Sequence, residues 1–566
     1  VRDAGGPVTA RLNTLWSAVF VEELVRHGVE TFVVAPGSRS TPLVAAIAAN
    51  PRARGEVLTD ERVAAFVALG HGRATGRPAA LVTTSGTAAA HAYPAVLEAD
   101  ADGVPLLVLS ADRPPELRGT GANQTLDQVH LFGGHVRWDA DLPAPSPDVP
   151  LEAVLRWAAT AAHRAVAGRG PVHVNLMYRK PLEPVDVTPN PGLWPRPDRP
   201  GKRLSVPRRG LGERDARDLV ALLAGAERGL VVIGGLADGD ERRAAREIVA
   251  RLGWPTFADL ASGLRLGAAP PVVPLFGALL AEPSFADEAT PDVVLQLGGR
   301  LISAQLEGWL AGARPREHVR VAREPERLDP TGAVTWAVDA DLTSLVALVP
   351  ERPVDPRVAR WRDRSAHLEA ELDAAHPALT EPRVARLVSR SLPVGGALFA
   401  GNSMPIRELD RWAASDGAPV VVGANRGASG IDGLMATATG FARGLGRPTT
   451  LLLGDQSFAH DVGALAAVAA LAPSLTIVVV NNGGGRIFER LPIARHRELL
   501  DRWFTAPQVW SIGAACAAYG VPHAAVSDEP ALVVALAREI PGPRVVEVVV
   551  PGGGPARAET VPVGAR

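Results

Sequence analysis

The sequence predicts an α/β protein of three consecutive parallel-sheet domains, and three observations carry that expectation. Short apolar runs alternate with helical patterns along most of the chain, as in βαβ units. The runs fall into three sets, parted by a proline-rich stretch and by a charged helical stretch. One run, "TTLLLGDQSFAHD", ends abruptly in Gly454 and a carboxylate, Asp455, at the kind of strand end where open α/β sheets bind ligands.

The first set, residues 1–185, contains "LWSAVFVEELVRHG" (helix), "TFVVAPGS" (strand and turn), "DERVAAFVALGHGRATG" (helix), "AALVTTSG", "PLLVLSADRP" and "PVHVNLM" (strands). Eight prolines between Pro181 and Pro207 exclude a packed helix or central strand, so residues 186–208 are expected to be a linker. The second set, 209–350, has "GLVVIGGL", "PDVVLQLGG" and a helical "ERRAAREIVARLG", a Rossmann-like pattern. A helical connector, "RVARWRDRSAHLEAELDAAH", spans much of 351–380. The third set, 381–566, holds "GALFAGNSM", "APVVVGANRGASG", "TTLLLGDQS", "LTIVVVNN" and "RVVEVVV".

Composition narrows the function. With 47% apolar residues in 566, the chain has ample material for several cores. A net charge of −2 and no basic block give no support to nucleic acid or an anionic membrane as partner, which leaves small molecules. The single cysteine, Cys516, excludes an internal disulfide and a cysteine metal cluster, and reads as a buried apolar residue in a reducing compartment. The N-terminal segment lacks a signal-peptide pattern, and no run reaches the ~18 apolar residues of a membrane helix, so a cytoplasmic protein is expected. Lys180 and Lys202 are the only lysines among 59 basic residues, so an arginine by itself is weak evidence of anion recognition.

A helical pattern, "VGALAAVAALAP", separates Gly454–Asp455 from the strand end Asn481–Asn482. A strand, a helix and a parallel strand bring the two strand ends side by side. Asp455, Asn482 and a carbonyl of the glycine run then offer hard oxygen ligands suited to Mg²⁺, and Gly483–Gly485 allow close approach of a phosphate. The alternative is two ordinary turns, with Asp455 as a helix cap and Asn482 in a left-handed position.

The segment Gly454–Asn482 resembles the diphosphate-binding motif of thiamine diphosphate enzymes, a GD followed at this distance by NN. The resemblance implies a thiamine diphosphate-binding fold, with a pyrimidine-binding first domain and a diphosphate-binding third domain. It implies Asp455, Asn482 and the Gly484 carbonyl as ligands of Mg²⁺, with Mn²⁺ as the alternative ion. It also calls for a glutamate that hydrogen-bonds the cofactor's aminopyrimidine. Glu61, in "VLTDERVAAF", is the candidate; its plain alternative is a first-turn carboxylate favoured by the helix dipole.

The strings "APGSRSTPL", "TSGTAAAHAYPAVLEA", "SADRPPELRGTGANQT", "GNSMPIRELD", "NRGASGIDG" and "GDQSFAHD" narrow this further. Together they resemble the 2-succinyl-5-enolpyruvyl-6-hydroxy-3-cyclohexene-1-carboxylate synthase family of menaquinone biosynthesis. That resemblance implies decarboxylation of 2-oxoglutarate and transfer of the succinyl carbanion equivalent to isochorismate. It implies a homodimer or dimer of dimers with the active site between subunits. Implied cofactor contacts, besides the metal ligands and Glu61, are Thr84, Gly86, Ser403, Met404, Ile431, Gly454, Gln456, Ser457 and Ile487. Implied substrate contacts are Ser38, Arg39, Arg113, Asn123, Gln124, Ser403, Arg407, Arg426, Phe488 and Leu491. Arginine suits such a site because its planar fork pairs bidentately with a carboxylate, and the two substrates bring four. His460 is expected to be a hydrogen-bonded helix residue.

The chain departs from the family pattern in the middle domain, where Ala304 or Gln305 stands at a position that carries a basic residue in relatives; either Arg300 substitutes for it or the contact is absent. Two other readings compete. An acetolactate synthase or 2-oxo acid decarboxylase relative would keep the same metal site and Glu61. A non-catalytic Rossmann-like nucleotide binder would rest on "VVIGGL" and "GASGIDG", neither of which fits G-x-G-x-x-G.

Overall fold

Three parallel sheets form the framework of the computed structural model, which describes residues 6–186, 201–375, 378–507, 510–538 and 541–551. The linker expected at 186–208 falls largely outside the described residues. The first sheet contains β1 (Thr31–Val34), β2 (Arg54–Val57), β3 (Ala80–Thr83), β4 (Leu106–Asp112), β5 (Trp138–Leu142) and β6 (Pro171–Met177), in the order β2-β1-β3-β4-β6-β5. The second contains β7 (Gly229–Ile233), β8 (Thr256–Ala258), β9 (Val293–Leu297), β10 (Glu317–Ala322) and β11 (Trp336–Asp339), in the order β11-β10-β9-β7-β8. The third contains β12 (Ala397–Ala400), β13 (Val421–Ala424), β14 (Thr449–Gly454), β15 (Leu475–Asn481), β16 (His523–Val526) and β17 (Arg544–Val549), in the order β13-β12-β14-β15-β17-β16. Central strands such as β4 and β6 are buried at every position, which is why they are mostly apolar; their buried polar residues, among them Ser110, His173 and Asn175, hydrogen-bond to one another.

The three orders share one feature. Each chain path first steps one way from its starting strand and then returns to add strands on the other side, so strand order reverses between β1 and β3, between β7 and β9, and between β12 and β14. Ligand crevices open beyond the carboxyl ends of strands at such reversals. The fold therefore marks three places to inspect before any side chain is considered.

Packing cuts across chain order. One compact unit comprises the described residues up to Pro207 together with Asn425–Gly446 and Gly463–Ala472; the other comprises the described residues of Arg208–Ala424, Arg447–Val462 and the described residues after Ala472. In the first unit, Phe20, Phe32, Leu107, Leu109 and Val172 are buried in the core of the first sheet. In the second unit, one core surrounds β7, β9 and β10 and another surrounds β12, β14 and β15. The connector helix Pro356–Ala375 buries Trp361 against Phe257 and Phe285. Cys516 is wholly buried in the helix Ile512–Ala518, and burial pushes its thiol up to about 11. Among the described residues no helix is long and apolar enough to cross a membrane.

Within the first unit, the helix Leu434–Leu445 lies against the helix Glu61–Thr75 with backbones in contact. A Cβ on Gly440 would sit 2.0 Å from the Val67 carbonyl oxygen, and one on Gly70 would sit 2.0 Å from the Thr437 carbonyl oxygen. Only glycine permits this approach, because the obstructing atoms are backbone and cannot rotate away. Gly440→Ala is expected to destabilise the protein by ~1–3 kcal/mol or more. Gly308→Ala, at an exposed position of the helix Ala304–Ala313 where an added Cβ meets nothing within 4 Å, should be neutral or slightly stabilising. Unfolding midpoints of the two variants, compared with the parent, check the contrast.

Candidate functional site

The carboxyl ends of β1, β3 and β4, neighbours in the first sheet, bring Ser38, Arg39, Thr84, Gly86 and Arg113 into one region. Arg39 is 6% exposed and its Nη1 donates to the Tyr178 carbonyl at 2.7 Å. Its backbone N–H donates to Thr84 Oγ1 at 3.3 Å, an approach that requires glycine at 37, where a Cβ would lie 2.3 Å from the Thr84 Cβ. Arg113 is 9% exposed; its Nη1 donates to Ser85 Oγ and its backbone N–H to Asp112 Oδ1 at 2.7 Å. Burial lowers the pKa of both guanidiniums, and the charge of Arg113 lowers that of Arg39 further, with Asp112 opposing. Two desolvated, mutually repelling cations, one with its Nε unpartnered among the described residues, form a region that an anion would relieve.

Asn123 and Gln124 are exposed on the loop after Arg113. Gln124, at φ 57°, reaches back: its Nε2 donates to the Ser85 carbonyl at 2.8 Å, and Ser85 Oγ donates to the Gln124 carbonyl at 3.1 Å. Gly86, at φ 86°, donates its N–H to Gln128 Oε1 at 2.9 Å. Gln128 is fully buried and is fixed in turn by donation to Asn175 Oδ1 at 2.9 Å. The sequence reading missed Gln128, although an amide side chain near the "GANQT" string was the available signal. Glu61 is the first residue of its helix, follows the edge strand β2, and is half-buried. The capping role belongs to Asp60, whose Oδ1 accepts from the Val63 N–H at 3.0 Å.

In the third sheet, β14 and β15 pair in parallel with Gly454 opposite Val480, so Asp455 and Asn482 emerge at the same edge. Asp455 is 3% exposed; its Oδ1 accepts from the Gln456 N–H and its Oδ2 from the Gly484 N–H, both at 2.8 Å. Burial pushes its carboxyl up to about 6; the N–H groups of Gln456, Gly484 and Gly483 oppose the shift, and the charge of Glu381 adds to it. The Asn482 Nδ2 donates to Glu381, while its Oδ1 is buried with no hydrogen-bond partner among the described residues. Gly484 stands at φ 127°, and a Cβ there would lie 2.2 Å from the Thr505 carbonyl, whose oxygen accepts from the Gly485 N–H at 2.6 Å. A buried carboxylate held back from ionising and a bare amide oxygen form a donor set that suits a small hard divalent cation.

The remaining candidates are dispersed over both units. Ser403, at φ 70°, precedes the helix Met404–Trp412; Met404 is buried, and Arg407 is exposed with its Nη1 donating to the Ser403 carbonyl at 2.6 Å. A non-glycine residue held at positive φ stores strain of the kind that clusters at functional sites. Gln456 donates through Nε2 to the Ala506 carbonyl at 2.8 Å, Ser457 is buried, and His460 is exposed. Ile487 and Phe488 are half-buried, the latter ring 5.1 Å from Phe504, whereas Leu491 is 47% exposed. In the second sheet Arg300 follows β9 at the order reversal, while Ala304 and Gln305 are exposed on the first turn of the helix Ala304–Ala313.

Arg426 and Ile431 lie on the loop after β13, which packs in the first unit. A residue unmarked by the sequence reading shapes that loop: Glu98, 3% exposed on the helix Tyr93–Asp102. Its Oε1 accepts from the Gly427 N–H at 2.8 Å, and its Oε2 accepts from Ala428 at 2.7 Å and Ser429 at 3.2 Å. Arg73 donates to the same carboxylate at 3.2 Å. The signal was a carboxylate inside the apolar helical pattern "YPAVLEA".

Comparison with known proteins adds to this geometry. A family model described as "Thiamine pyrophosphate enzyme, N-terminal TPP binding domain" matches residues 16–131, and "Middle domain of thiamine pyrophosphate" matches residues 217–400. The chain is 46% identical over 554 residues to the 2-succinyl-5-enolpyruvyl-6-hydroxy-3-cyclohexene-1-carboxylate synthase of Rubrobacter xylanophilus, covering 96% of each chain. It is 45% identical over 526 residues to the Salinibacter ruber protein of the same name, covering 90% of this chain and 88% of that one. A namesake from Pelodictyon phaeoclathratiforme is 40% identical over 532 residues, covering 91% and 88%.

The Glu98 cradle yields a test that needs no ligand. Glu98→Gln keeps the shape but replaces one accepting oxygen with a donor facing backbone N–H groups, at a cost of ~1–3 kcal/mol. Amide exchange at residues 427–429 should accelerate and the unfolding midpoint should fall. Unchanged protection at those amides would show that the carboxylate does not hold the loop.

Proposed function

Because the chain belongs to the 2-succinyl-5-enolpyruvyl-6-hydroxy-3-cyclohexene-1-carboxylate synthase family of thiamine diphosphate-dependent transferases, we propose that it decarboxylates 2-oxoglutarate and joins the remaining succinyl unit to isochorismate. The reaction is a step of menaquinone biosynthesis and is placed in the cytoplasm. The observation that carries the reading to individual residues is the pair of strand ends at which the buried Asp455 carboxylate and the bare Asn482 oxygen emerge together. In this proposal residues 1–185 are the pyrimidine-binding domain, 209–350 the central domain and 381–566 the diphosphate-binding domain.

Bound thiamine diphosphate supplies the nucleophilic carbon and the electron sink that loss of CO₂ from a 2-oxo acid requires. The chain's own residues hold and orient. Asp455, Asn482 and the Gly484 carbonyl would hold Mg²⁺ or Mn²⁺ against the diphosphate, with the cation neutralising a carboxylate that burial alone disfavours. Glu61 would hold a proton in a hydrogen bond to the cofactor's aminopyrimidine ring, a role left open to it because Asp60 caps the helix. Arg39 and Arg113 would pair with substrate carboxylates, exchanging mutual repulsion for charge-assisted hydrogen bonds. Arg407, Arg426, Ser38, Asn123, Gln124 and Ser403 complete the proposed substrate contacts, and Ile431, Ile487, Phe488 and Leu491 provide apolar walls.

The deciding experiment supplies substrates and cofactors by omission. Purified protein should consume isochorismate only when 2-oxoglutarate, thiamine diphosphate and Mg²⁺ are all present. Turnover of pyruvate alone, with isochorismate untouched, would instead identify an acetolactate synthase-like activity.

Two residue-level outcomes follow from this reading. Charge-assisted hydrogen bonds contribute ~1.5–3 kcal/mol, so Arg39→Ala and Arg113→Ala should each lower kcat/KM roughly 10- to 150-fold, with thiamine diphosphate affinity nearly unchanged. Arg214→Ala, at a side chain 89% exposed, should have no kinetic effect. We also propose a homodimer or dimer of dimers with the active site between subunits. Inactive Glu61→Gln protein mixed with inactive Asp455→Asn protein should then regain activity on subunit exchange; no recovery after confirmed exchange would place each site within one chain.

A further inference from the structure

We propose that Glu381 is a positioning residue that turns the Asn482 amide so that its oxygen, rather than its nitrogen, faces the cation site. The inference rests on the metal reading above and adds to it a residue that no motif contains.

The argument starts from what an amide can do. Asn482 carries an oxygen that accepts and a nitrogen that donates, and the two ends have nearly the same shape, so packing alone does not choose between them. Only the oxygen can ligate a hard cation; the NH₂ end would repel it. A neighbouring carboxylate breaks the tie, because an ionised carboxylate only accepts and must therefore receive Nδ2. Glu381 Oε1 is that acceptor. The Asn482 Oδ1 is thereby turned away from Glu381, and it is the end that lies buried without a partner among the described residues. A buried amide oxygen left bare costs free energy unless something absent from the protein itself completes it.

Glu381 is itself constrained. It is the first residue of the helix Glu381–Arg390, whose start is fixed by Thr380, with Oγ1 accepting from the Arg383 N–H at 3.4 Å. Its other oxygen, Oε2, lies 3.9 Å from Arg490 Nη2, and Arg490 is anchored in turn by Glu408 at 3.0 Å. The side chain is 19% exposed, so it is held by protein on most sides. The arrangement has the form of the outer-shell partners that orient metal ligands elsewhere, whose loss costs ~10- to 100-fold in metal affinity.

The test separates orientation from mere support of the helix by comparing the loss in two backgrounds. Mg²⁺ is titrated calorimetrically into full-length protein saturated with thiamine diphosphate, and unfolding midpoints are recorded for every variant. Glu381→Ala should weaken Mg²⁺ binding ~10- to 100-fold. Glu381→Gln, which can still accept from Nδ2, should retain most of the affinity. In the Asn482→Asp background the ligand has two equivalent oxygens and nothing to orient, so only the long-range attraction between a carboxylate at 381 and the cation is left to lose. There Glu381→Ala should cost far less Mg²⁺ affinity than it does beside Asn482. Unchanged affinity in Glu381→Ala, or an equal loss in both backgrounds, overturns the proposal. Asp455→Asn distinguishes the failures: if it weakens Mg²⁺ binding while Glu381→Ala does not, the positioning role falls alone; if it too leaves binding unchanged, the metal reading falls and the positioning role with it.

Discussion

Parallel pairing of β14 with β15, Gly454 opposite Val480, is the constraint on which the third sheet's ligand-ready edge depends. Parallel strands deliver their carboxyl ends to one side, and the intervening helix makes the return crossing. Two residues 27 positions apart thus emerge as neighbours, and the Gly484 N–H closes on Asp455 Oδ2 at 2.8 Å. A shift in register of even one residue would part the carboxylate from the amide and reverse which residues face the core. The burial of Leu451, Leu453, Ile477 and Val479 holds that register, so the apolar interior of the sheet fixes the polar geometry at its edge.

The same logic recurs with opposite charge in the first sheet. There the neighbouring carboxyl ends of β1, β3 and β4 gather buried guanidiniums rather than a buried carboxylate. Each edge carries charge that burial penalises: Arg39 and Arg113 are pushed toward neutrality from one direction, Asp455 from the other. Neither arrangement is what stability alone would select, since apolar residues of similar size would satisfy these positions without desolvating charge. Sites of that kind are where binding and catalysis are usually found.

Side chains remote in sequence hold these edges in shape. Gln128 braces Gly86, Glu98 cradles three successive N–H groups of the loop bearing Arg426, and Glu381 takes the Asn482 amide. Each acts on backbone or on another side chain rather than at the reacting centre. Their common feature is a polar group turned toward a chain segment that would otherwise leave donors unpaired; Gln128 and Glu98 are buried and Glu381 is half-buried.

How much of this the sequence showed depends on the range of the interactions involved. Mostly apolar runs such as "PLLVLSADRP" and "LTIVVVNN" announced β4 and β15, because a strand buried on both faces is apolar at most of its positions. Strands β5, β11 and β16 went unrecognised, since edge positions leave them partly exposed and polar residues break the pattern. Strand β10 escaped for a different reason: its interior buries His318 and Arg320, which hydrogen-bond to Gln296 and to the Gly299 carbonyl. Sequence by itself determined that Asp455 and Asn482 end consecutive strands of one βαβ unit, because that follows from local period and chain direction. Only the tertiary structure decided that Glu98 and Glu381 reach residues 329 and 101 positions away, because a carboxylate carries no local mark of which donor it will meet.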